Sequence, residues 1–113
     1  MVDLSSLSSV QVETIRIHQA LRKDNINLKN ALRLRKTSGI SRGTHYRILS
    51  QAKKNIRQSL FTVATAVQMG LIDPSDVQKL LAVALRVPAD VEGEKLSEIM
   101  PLVVTLVDRI VML

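Results

Sequence analysis

The chain of 113 residues contains no cysteine, which excludes disulfides, thiol nucleophiles and thiolate metal sites and suits a reducing compartment. Aromatic residues are almost missing: no Trp, one Tyr and one Phe. Recognition folds for single-stranded nucleic acid stack bases on several exposed rings, and that mode has no material here. The core must be built from Leu, Ile, Val, Ala and Met. No apolar run reaches the ~18 residues that a membrane span needs, and the first fifteen residues lack the basic and apolar regions of a signal peptide. No internal repeat or low-complexity segment is present. This length suits a single domain, residues 1–113, with one modest core.

Acidic residues are scarce where basic ones gather. Arg16 to Arg57 holds twelve Lys or Arg and one acid, Asp24, a net +11, whereas residues 71–113 carry −3, residues 1–15 carry −2 and the whole chain +6. A cationic stretch of this density is a polyanion-binding surface, and nucleic acid is the commonest target of such a field. The expected location is therefore the cytoplasm, in association with the nucleoid.

Catalytic and metal-binding patterns are also absent. His18 and His45 are the only histidines, and no acid cluster accompanies them at metal-ligand spacing, so no zinc site or other cofactor is expected. Gly39 and Gly43 form no phosphate loop, because no strand precedes them and no Gly-Lys-Ser/Thr follows. Asp90, Glu92, Glu94 and Glu98 read as a solvated loop and helix start. No residue set resembles an active site, and the chain is not expected to be an enzyme.

The periodicity predicts an all-α fold of about five helices. Residues 1–8 are polar and expected to be flexible, 9–57 form a basic part and 58–113 a packing part. Ser8 and Gln11 have capping-box spacing, so a first helix starts near Ser9 and buries Val10, Thr14, Ile17 and Leu21. A bend or short break at Asp24-Asn25-Ile26-Asn27 and a second helix from about Asn27 to Arg35 are expected, with an unbroken helix from Ser9 to Lys36 as the alternative. Gly39 follows as a turn residue at positive φ, and Ser41 caps a third helix reaching Met69, with Gly70 as its C-terminal cap. On that helix His45, Leu49, Ala52, Ile56, Leu60, Val63 and Val67 share one face, and the polar residues lie mostly opposite. Asp73-Pro74-Ser75-Asp76 starts a fourth helix running to about Arg86. Ser97 is expected to cap a last helix, with Pro101 at its fourth residue; its apolar residues surround it, which calls for burial that a chain this small has trouble supplying unaided.

Gly39-Ile40-Ser41-Arg42-Gly43-Thr44-His45-Tyr46-Arg47-Ile48-Leu49 resembles the turn and recognition helix of resolvase-like helix-turn-helix proteins. The resemblance covers some eleven residues, with the approach to the motif's first helix before it. It implies that Ile40 and Ile48 pack inside, that Ser41 and Thr44 contact phosphate, and that Arg42, Tyr46 and Arg47 reach bases or phosphates. His45 stands where the family has Val or Ile, and Ala31 lies four residues further from the glycine than the family's small residue. Arg42 and Arg47 are the candidates for base readout, since guanidinium matches guanine bidentately. Arg33, Arg35, Lys36, Ser50, Lys53, Lys54 and Arg57 complete the DNA-binding set, mostly as backbone contacts. The expected partner is double-stranded DNA, bound by a homodimer joined through Leu96 to Leu113, whose recognition helices would sit about 34 Å apart. Two other readings stay open: a non-catalytic adaptor, such as a partition or replication accessory factor, docked on a larger protein, and a structured-RNA binder.

Overall fold

The computed structural model describes residues 4–23, 41–87 and 94–111. Among them the chain is all-α, with four helices and no strand: α1 (Ser9–Lys23), α2 (Arg42–Gln68), α3 (Pro74–Arg86) and α4 (Glu94–Ile110). The helix expected from Asn27 to Arg35, the turn at Gly39 and Ile40 lie outside the described residues. None of the described helices is long and apolar enough to cross a membrane. The chain divides into two compact units, Met1–Ser59 and Leu60–Leu113, and the division falls within α2.

The helix ends are made by local chemistry. At α1 the capping box is reciprocal: the Gln11 amide donates to Ser8 Oγ at 3.1 Å, and the Ser8 amide donates to Gln11 Oε1 at 3.1 Å. Two amides that the helix leaves without a partner are thereby satisfied. α2 ends in a Schellman arrangement, in which the Leu71 amide donates to the Ala66 carbonyl at 2.9 Å and the Gly70 amide to the Val67 carbonyl at 3.0 Å. Gly70 takes φ 75°, the left-handed region in which a Cβ is strained. At α3, Asp73 caps through its carboxylate, which accepts from the Ser75 amide at 2.9 Å and the Ser75 hydroxyl at 2.8 Å, and Pro74 takes the first helical position. These bonds to Ser75, the amide first, hold the Asp73 carboxyl below the usual carboxylate range.

α4 departs from expectation at its start. It begins at Glu94, so Ser97 lies inside it, and Pro101 is its eighth residue instead of its fourth. The proline removes one amide from the i to i−4 ladder, and the helix continues through it.

In the first unit the core joins Thr14 and Ile17 of α1 to His45, Ile48 and Ala52 of α2, all buried. Ser6, in the stretch expected to be flexible, is bonded to the middle of α2: its hydroxyl donates to Asn55 Oδ1 at 2.8 Å, and Asn55 Nδ2 donates to the Ser6 carbonyl at 2.6 Å and to Gln11 Oε1 at 3.3 Å. In the second unit α3 packs on α4, but burial is sparse. Among the described side chains only Val103 and Ile110 of α4 are buried, and no residue of α3 is. The last helix, expected to be hard for so short a chain to bury unaided, exposes Leu102, Val104 and Val107, with Val111 exposed just beyond its end. The second half of α2 likewise exposes Leu60, Phe61 and Val63.

Candidate nucleic-acid interface

The candidate site is the outer face of α2 from its first turn to Arg57. Ser41 sits immediately before the helix and caps it: its Oγ accepts the Thr44 amide at 3.2 Å and donates to Thr44 Oγ1 at 3.0 Å, while the Ser41 carbonyl accepts the His45 amide at 2.9 Å. Both hydroxyls assigned to phosphate contact are thus engaged with each other, which fixes the geometry of the first turn.

Arg42, Tyr46, Ser50, Lys53 and Arg57 follow one another at intervals of four, four, three and four, which aligns them along one side of an α-helix over about 22 Å. All five are exposed. Arg47 and Lys54, seven residues apart, form a second exposed row beside the first. No acid occurs between Arg42 and Arg57. Among the described residues Arg42, Arg47, Lys53 and Lys54 take part in no salt bridge. Unneutralised cations on one face give a positive field that a polyanion can enter without displacing a bonded carboxylate.

The opposite face holds this one in place. His45 and Ala52 are fully buried and Ile48 nearly so, while Leu49 is half-buried. The sequence reading placed His45 and Ala52 inward, and the resemblance implied that Ile48 packs. Ile56, predicted on the same apolar face, is instead exposed. The His45 ring meets Tyr46 edge to face, with centroids 5.4 Å apart and planes at 81°, and lies 6.5 Å from the His18 ring. Tyr46 stays half exposed.

The structure therefore places Arg42, Tyr46, Arg47, Ser50, Lys53, Lys54 and Arg57 on one continuous helix surface. Thr44 is half-buried, and Arg33, Arg35 and Lys36 lie outside the described residues. Two features were not foreseen, the Asn55 clasp and the approach of His18 to His45. Both join residues far apart in sequence, and no local spacing announces such pairs. Among the described residues no group of three or more His, Asp or Glu draws together as a metal site would require. Comparison with family models, with curated proteins and with solved structures gave no match to this chain.

Proposed function

We propose that the chain binds double-stranded DNA through the basic face of α2, as a transcriptional regulator or small DNA-organising protein using a helix-turn-helix. The observation that carries this reading is the pair of exposed rows, Arg42–Tyr46–Ser50–Lys53–Arg57 and Arg47–Lys54, on a helix whose other side is packed. An α-helix fits the major groove of B-DNA, and two adjacent basic rows allow one to meet base edges while the other holds phosphates. The resemblance of residues 39–49 to a recognition helix agrees with this use of the first turns.

Fluorescence anisotropy of a labelled DNA duplex, titrated at several salt concentrations, tests the proposal. With ~5 phosphate contacts per copy the slope of log affinity against log salt is expected near −4.5. A flat salt dependence would contradict electrostatic binding. Competition by duplex RNA as effective as by duplex DNA would assign the surface to structured RNA.

A second reading, a non-catalytic adaptor docked on a larger protein, is favoured by one observation, the exposed apolar side chains of Leu60–Leu113. It predicts that the isolated chain binds DNA as a monomer and leaves that surface open.

A further inference from the structure

We propose that the α3–α4 pair is half of a four-helix bundle and that a second copy of this chain supplies the other half. α4 carries two apolar stripes. Ile99, Val103, Leu106 and Ile110 are buried or half-buried. Met100, Val104, Val107 and Val111 each follow one of these by a single residue, so they form a parallel stripe rotated by about 100°. The last three are exposed.

α3 repeats the pattern. Val77, Leu80 and Val83 are half-buried, while Leu81 and Leu85 are exposed, Leu85 to 88%. Their displacement from the inner stripe is again roughly 100° and in the same rotational sense. A helix in a four-helix bundle touches two neighbours at about a right angle to each other, so it needs two stripes with this offset. A helix in an isolated pair needs one.

The sense of the offset matters. Seven residues separate α3 from α4, and the two helices pack together; so short a connection runs neighbouring helices antiparallel. In an antiparallel pair, stripes rotated in the same sense from the line of contact emerge on the same side. The exposed stripes of α3 and α4 therefore form one apolar face, which another such pair would cover.

Area and charge select a second copy as the occupant. Leu81, Leu85, Met100, Val104, Val107 and Val111 present about 300 Å² of apolar surface per copy, taking the area implied by ordinary burial energies and their partial exposure. Two copies would bury about 600 Å² of it, and at the ~65% apolar share of homodimer interfaces the whole contact reaches about 900 Å². That falls below the roughly 1,200–2,000 Å² of stable specific interfaces and in the range of weak association, which implies a reversible dimer. Neither stripe contains a charged residue, so two-fold pairing meets no like-charge repulsion. Residues 60–113 carry a net −3, whereas residues 1–59 carry +9, and contact through the latter would oppose two strongly positive surfaces. The proposal refines the expected dimer through Leu96 to Leu113 by adding α3, and it does not rest on DNA binding.

Sedimentation equilibrium of the full chain without DNA is the test. The wild type should be largely dimeric at about 50 µM and dissociate on dilution, as a small, reversible interface would. Leu85→Glu and Val107→Glu should be monomeric at that concentration with unchanged helicity by circular dichroism. Leu102→Glu should remain dimeric, because Leu102 is 53% exposed but lies about 140° from Val107 around α4. Should Val107→Glu fail to fold, Leu85→Glu still decides, its side chain having almost no contacts within the chain to lose. A monomeric wild type, as the adaptor reading requires, would overturn the proposal, as would dissociation by Leu102→Glu or a dimer that survives Leu85→Glu.

Discussion

The two halves of α2 are built from the same periodic pattern and meet different surroundings. In the first half the inward stripe is covered, with His45, Ile48 and Ala52 buried, and the outward rows are cationic. In the second half Leu60 and Val63 continue the apolar face of Leu49, Ala52 and Ile56, yet Leu60 is 66% exposed and no charge occurs from Gln58 to Ile72. The first half has a finished inner face and an outer face that attracts phosphate. The second is chemically a core segment without a full core around it. Periodicity determines which residues share a face of a helix, while coverage of that face depends on what else the chain can bring to it.

The sharpest way to break this comparison is to truncate one aliphatic side chain in each half, a buried one in the first and an exposed one in the second. Ile48→Ala should cost about 2–5 kcal/mol of unfolding free energy, the range for removing a buried aliphatic side chain. Leu60→Ala should stay within about 0.5 kcal/mol when measured on dilute protein, as exposed positions usually do. Urea denaturation of both variants gives the answer, and equal losses would mean that the second half is as well covered as the first.

A smaller effect separates charge from packing. Replacing Arg47 and Lys54 together by Ala should lower affinity for duplex DNA about 10–100-fold near physiological salt and make the salt slope shallower by about 1.8. Melting temperature and sedimentation should not change, because both side chains are exposed and neither stripe of the second unit includes them. Anisotropy titrations with parallel thermal melts would show it; a variant that binds DNA normally would move the interface off this row.

The smallest effect concerns the start of α3. Asp73 has its carboxyl held below the usual range by the Ser75 amide and hydroxyl, so its ionised form is favoured by folding. The stabilisation is complete above the ordinary carboxylate value of about 3.9 and is lost as pH falls through the lower value of the folded chain. Helicity followed from pH 5 towards pH 2 should therefore include a component that Asp73→Asn removes, since Asn caps without titrating. An identical acid profile in that variant would show that this cap contributes no pH dependence.

Much of this fold was legible because helix ends are written in local chemistry. Ser8 with Gln11, Ser41, Asp73 with Pro74, and Gly70 each announce a boundary within four residues, and each lies where the structure has it. The start of α4 was misread for the same reason. Ser97 carries a cap-like signal, and placing a cap there kept Pro101 out of the helix interior, where proline is costly; the helix instead absorbs the lost bond. Of the candidate site, the exposed basic rows followed from spacing. The clasp of Asn55 on Ser6 and Gln11 did not, because it joins residues 44 and 49 positions apart. The all-round apolar composition of the last helix announced a demand for burial that so short a chain has trouble meeting, but not which side chains stay exposed, because composition does not name the source of cover.

Gly70 shows that room and permission are separate constraints. A β-carbon built on it would meet nothing within 4 Å, so by volume alone any amino acid would fit. Its φ of 75° nevertheless strains every residue with a side chain, Asn least. Tolerance at this position should therefore follow backbone preference and ignore size: asparagine should be accepted ahead of the smaller alanine, and β-branched valine, close to asparagine in size, should be among the worst.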